Sequence, residues 1–140
     1  MPRYTKLNKK VSSRRIDWKK AFDIKKRVLH LSRELSLEWV NNSSVYCFRS
    51  TGANTRAFAR IWGLPRIWQL ALNLKPSYII EVISEKFDKL NEKEKDKVLL
   101  HEIAHIPKNF SGSLVPHIRR GKRNFNDKVN SLISKYIRSF

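Results

Sequence analysis

The sequence predicts a single α+β domain, in which helices flank a small, mostly antiparallel sheet of three to four strands. Three observations predict it. Apolar residues recur at helical spacing from about residue 16 to residue 37 and again from Asn124 or Asn126 to the end. Short β-patterned runs, broken by Gly, Pro and Asn, fill residues 45–83. A third helical stretch, with its own start and stop signals, surrounds His101-Glu102-Ile103-Ala104-His105. The 140 residues suit one domain, and such a chain buries roughly two-thirds of its unfolded surface without disulfides.

In chain order, residues 1–14 have no sustained apolar period and read as a flexible basic arm, leaving 15–140 as the folded domain. Residues 16–37 then read as one long amphipathic helix, with Trp18, Phe22, Val28, Leu29 and Leu35 on its apolar side and Lys19, Lys20, Lys25, Lys26 and Arg27 filling much of the rest. Trp18 and Phe22 are assigned to the core in this reading, not to a base-stacking platform. His30, without a partner at ligand spacing, is a surface or capping histidine. Asn41 to Ser44 is a turn, 45–49 a strand that buries Cys47, and 50–54 a loop. A second strand spans about 56–62. Through Gly63-Leu64-Pro65 it leads to a third, where Trp68, Leu70, Leu72 and Leu74 alternate with Ile67, Gln69, Ala71 and Asn73. Pro76 separates this from the β-branched run 78–83, a fourth strand. Phe87 and Leu90 follow in a connection that packs beneath the next helix.

That helix opens on Asn91, with Glu94 placed to complete a capping box, and stops at Pro107. Two histidines at i and i+4 share a helix face, about 6 Å apart along the axis, so one metal ion can bind both. Zinc takes neutral imidazole, and a catalytic site uses three protein ligands with the fourth position left for water. Glu102 projects beside such an ion, where a carboxylate can take a proton from that water. This is the pattern of a zinc-dependent peptidase. His117 is the nearest third ligand, because an eleven-residue loop can return the chain to the ion; the alternative is a surface histidine at the edge of the basic tail. A downstream glutamate ligand is excluded, since no glutamate follows Glu102. Tyr78, Tyr136, Arg119 or a backbone N–H could assist the developing oxyanion.

One cysteine, Cys47, excludes an internal disulfide and a Cys-rich metal site. There is no signal-peptide core and no apolar run of membrane-spanning length, so the expectation is an intracellular protein, cytoplasmic or nucleoid-associated. The net charge is +18, with twelve Lys/Arg against two acids in residues 1–33 and seven against one in residues 117–140. Clustered cations of this kind are an electrostatic footprint for DNA or RNA. The expected contacts are Lys9, Lys10, Arg14, Arg15, Lys19 and Lys20 at one end and Arg119, Arg120, Lys122 and Arg123 at the other.

The run Leu99 to Pro107, followed by Phe110-Ser111-Gly112-x-Leu114-x-Pro116-His117, resembles the putative phage and archaeal metallopeptidases, relatives of the SprT-like zincins. The resemblance covers about residues 45–130. It implies a zincin-like domain in which His101, His105 and His117 bind Zn2+ and Glu102 is the general base. A protein or peptide substrate follows, and the basic ends add the expectation that it is cut near nucleic acid. Two other readings compete with it: a nucleic-acid-binding protein with a structural zinc and no catalysis, and a zinc hydrolase acting on a non-peptide bond.

Overall fold

The fold is built on a four-stranded sheet in the order β1-β2-β4-β3. The computed structural model describes residues 15–117 and 125–140. Along the chain these form β1 (Asp17–Lys20), α1 (Phe22–Glu34), β2 (Val45–Thr51), β3 (Ala59–Gly63), α2 (Arg66–Leu72), β4 (Tyr78–Ile83), α3 (Ser84–Phe87), α4 (Glu92–Ile103) and α5 (Phe125–Ser139). The sheet is mixed, since β1 and β3 run antiparallel to their neighbours while β2 and β4 are parallel. β3 is therefore an edge strand, with one row of backbone groups unpaired by any strand among the described residues.

Alternation separates the two faces of the sheet. Val45, Cys47, Ala59, Tyr78, Ile80 and Val82 point inward and are buried with Val28 and Leu31 of α1, Leu99, Leu100 and Ile103 of α4, and Leu132 and Tyr136 of α5. Phe87 is fully buried and Leu90 packs against the same core, as expected for the connection ahead of α4. The opposite face carries Trp18, Tyr46, Phe48, Trp62 and Ile79, most of them exposed. α1, α4 and α5 are tied together by one buried carboxylate. Asp96 accepts from Arg27 Nε at 2.6 Å and Nη2 at 2.5 Å and from the Tyr136 hydroxyl at 2.7 Å, partners that offset the cost of burying its charge.

The N-terminal helix is shorter than its periodicity implies. Residues 17–20 pair with Phe48–Thr51 of β2, and Ala21 N–H continues the ladder to the Cys47 carbonyl at 3.0 Å. Tertiary pairing thus overrides a helical pattern that local spacing alone supports. α1 then runs for 13 residues and ends as Ser36 turns to a left-handed φ of 53°. Trp18 and Phe22 are not core residues: they are 51% and 72% exposed. Residues 66–72, read as a strand, form a helix. Pro65 sits at its N-cap, Leu, Gln and Ala favour helix, and Asn73 closes it at a left-handed φ of 54°. Its buried residue is Gln69, while Ile67, Trp68, Leu70 and Leu72 face outward.

Cys47 lies in the core strand as expected, and burial pushes its thiol up to about 11. Among the described residues no helix is long and apolar enough to cross a membrane. The proposed basic arm 1–14 and the cations Lys9, Lys10, Arg14, Arg119, Arg120, Lys122 and Arg123 lie outside the described residues. Arg15, Lys19 and Lys20 are exposed, the last two on opposite faces of β1.

Candidate metal centre

α4 positions the first half of the site. Asn91 Oδ1 accepts from Glu94 N–H at 2.9 Å and Glu94 Oε1 from Asn91 N–H at 3.3 Å, so the capping box read from the sequence is formed. The α-helix ends at Ile103. His105 follows in a tightened turn whose N–H donates to the Glu102 carbonyl at 3.0 Å, and its ring still faces that of His101, with centroids 5.5 Å apart.

The loop 107–117 supplies the third histidine, and it is held at several points. The His105 and Val115 backbones meet at 2.7 Å, and His105 Nδ1–H donates back to the Val115 carbonyl at 2.6 Å. The buried Tyr78 hydroxyl donates to the Ser113 carbonyl at 2.7 Å and accepts from Gly112 N–H at 2.8 Å. Gln69 Nε2 bridges the Leu64 and Ser111 carbonyls at 2.8 and 2.9 Å. Gly112 has a left-handed φ of +97°, and a Cβ there would lie 2.3 Å from the Leu64 carbonyl oxygen, so only glycine lets the loop approach α2 this closely.

His101, His105 and His117 each offer a ligand atom, and all three atoms lie within 4.8 Å of one another. Nitrogens about 2.05 Å from one zinc at the tetrahedral angle sit roughly 3.4 Å apart; His101 Nε2 and His117 Nε2 are 3.2 Å apart. The bond from His105 Nδ1–H to Val115 fixes the tautomer and leaves Nε2 as its ligand atom. Burial holds both His101 and His105 below the usual histidine range, with neighbouring histidines acting in the same direction and, at His105, the Val115 carbonyl acting against it, so both rings are neutral at pH 7. The donor set fits a four-coordinate ion with one position open.

Phe125, at the start of α5, completes the cluster. Its buried ring stacks on His105 at 4.1 Å and 18° and meets His101 and His117 edge-on at 4.9 and 5.0 Å. No sequence signal marked it, because the contact joins residues 20 positions apart. Glu102 is 7% exposed, and burial pushes its carboxyl up to about 8; a dication nearby acts in the opposite direction. Tyr78 and Tyr136, two residues considered for oxyanion stabilisation, have hydroxyls committed to the loop and to Asp96. His30 packs edge-on to Phe140 at 5.5 Å, apart from the cluster.

A cleft of about 780 Å³ opens over these residues. One wall is the edge strand β3 with its lead-in, residues 57–61; the others are Lys97 and Val98 of α4, the loop 114–117, and Val129 and Ile133 of α5. A model of a protein family described as "Putative phage metallopeptidase" matches residues 16–135. No curated protein and no solved structure matches the chain.

Proposed function

Since the chain belongs to the putative phage metallopeptidase family, we propose that it is a zinc-dependent peptidase whose ligands are His101, His105 and His117 and whose general base is Glu102. One observation carries the reading: three imidazoles converge beside a buried carboxylate, in a cleft one wall of which is, among the described residues, an unpaired strand edge. Three imidazoles are a zinc ligand set, and the kinship with SprT-like zincins belongs to the same proposal. When bound, the ion supplies Lewis acidity, which acidifies water and polarises the scissile carbonyl.

The chain's own residues supply the rest. β3 can take the substrate as an added strand, its backbone groups fixing an extended peptide along the cleft. Glu102 accepts the proton as the water oxygen bonds to the carbonyl carbon, then delivers it to the amine as the C–N bond breaks. The apolar surroundings that raise its pKa make its carboxylate a stronger proton acceptor. Phe125 and the Val115 carbonyl keep the rings in ligating orientation. The +18 charge supports a second element of the proposal, that cleavage takes place next to DNA or RNA.

The test compares wild type with Glu102→Gln at equal zinc loading on an unfolded protein substrate. Glutamine is near-isosteric but cannot take the proton, so zinc content and melting temperature should stay while turnover falls by at least a hundredfold, at the low end of general-base contributions of ~10²–10⁴. Equal turnover would remove Glu102 from the chemistry.

A further inference from the structure

The outer face of the sheet carries groups that the metal site does not use. The strand register sets them in rows: Trp18 beside Ser50; Lys20, Phe48, Glu81 and Arg60 across the middle; Tyr46, Ile79 and Trp62 beyond. Trp18, Tyr46 and Trp62 are 51%, 51% and 49% exposed. Two adjoining grooves share Trp62 and Ile79; one reaches Trp18 and Phe48, the other passes Tyr46 to Lys75. Single exposed apolar residues are ordinary, but aromatic rings contributed by three strands to one face mark a binding surface.

Glu81 shows that the rings are held in place. It lies on this outer face yet is 1% exposed, because it accepts from Arg60 Nε at 2.7 Å, Arg60 Nη2 at 3.1 Å and Trp62 Nε1 at 2.9 Å. Arg60 in turn lies 5.2 Å from the centre of the Trp62 ring. The indole is therefore both exposed and fixed, so little side-chain freedom remains to be lost on binding. With Glu81 paired to Arg60, the rows present the cation Lys20 and no exposed carboxylate, and Lys75 lies at the end of the second groove.

We propose that this face binds single-stranded nucleic acid, with unstacked bases lying on Trp62, Tyr46 and the Trp18–Phe48 pair and phosphates meeting Lys20 and Lys75. Aromatic rings interleaved with cations are the physical requirement for holding a single strand, since every base has a π-face and every nucleotide a negative charge. A duplex keeps its base faces stacked inside, out of reach of a sheet. Stacking and phosphate contacts do not read the 2′-hydroxyl, so DNA and RNA strands fit alike. A second copy of the chain would bring another +18 charge to the surface, which opposes self-association. The inference rests on the polyanion reading of the charge and not on the peptidase reading; it moves the specific contact from the basic ends to the sheet.

Fluorescence anisotropy of labelled dT15 and rU15, with a 15-base-pair duplex for comparison, tests it on the full-length protein. Single strands should bind at least about tenfold more tightly than duplex, and Trp62→Ala and Tyr46→Ala should each weaken dT15 by about tenfold, in line with the stacking contribution per base. Trp62→Phe, which keeps a ring, should retain most of the affinity, and zinc content should be unchanged in all three. Duplex binding equal to single-strand binding, with all variants indifferent, would overturn the sheet site and leave charge at the chain ends as the whole interaction. No binding at all would overturn both while leaving the peptidase reading intact. A dimer in sedimentation that Trp62→Ala dissolves, with dT15 not bound, would assign the face to a second copy.

Discussion

At the residue scale, His105 and Glu81 illustrate how a polar side chain is set by the partner of its other atoms. His105 gives Nδ1–H to Val115, which leaves Nε2 for a ligand; Glu81 uses both carboxylate oxygens on Arg60 and Trp62. Burial raises the Glu81 pKa, but the hydrogen bonds from Arg60 and Trp62 and the charge of Arg60 outweigh it, and the net shift is downward from 4.5. A lowered folded-state pKa means stability that is fully present above the unfolded value and lost as pH falls through the folded one. Glu81→Gln should therefore melt below wild type at pH 7, and the gap should close below about pH 4.5 as wild type loses its advantage. Melting curves from pH 7 to 3 decide it; a gap that does not change with pH would mean the charge of Glu81 contributes nothing. His101, Glu102 and His105 were legible in the sequence because helix geometry relates them locally. Phe125 and the loop-holding hydroxyl of Tyr78 were not, since each acts across a long loop or from another strand.

At the element scale, the site depends on a loop pressed against α2 and β3 as much as on α4. Gly63 and Gly112 make that approach possible: a Cβ on Gly63 would lie 2.1 Å from the Gly112 carbonyl oxygen. Gly112→Ala should displace the loop that carries His117, lower the melting temperature and weaken zinc by roughly 10–100-fold, the range for losing ligand support. Zinc affinity measured by competition with a chelator checks this, and an unchanged value would mean that the loop does not position His117. The elements themselves differed in how readable they were. Asn91 with Glu94 announced α4 correctly, because a capping box is complete within four residues. In residues 67–74 apolar side chains occupy both parities, so alternation carried little information there, and Pro65 and Asn73 decided for helix. β1 looked helical since the strand it pairs with lies some 30 residues downstream.

At the scale of the whole molecule, one sheet serves two surfaces. Its inner face seats α1, α4 and α5, and with them the three histidines and the cleft; its outer face is aromatic and, among the described residues, uncovered. Single-strand binding on one side and peptide cleavage along the β3 edge would then be performed by the same rigid unit, which is how a basic peptidase could act on proteins held at nucleic acid. Charge was fully legible from composition, but its relation to the aromatic face was not, because that face is assembled from strands that are distant in sequence. The claim on which the rest depends is that His101, His105 and His117 form one metal site. Elemental analysis of the purified protein beside His101→Ala, His105→Ala and His117→Ala tests it most directly. The expected result is one zinc per wild-type chain, none in the first two variants and strongly reduced content in the third. Full zinc occupancy in His117→Ala would contradict the three-histidine site.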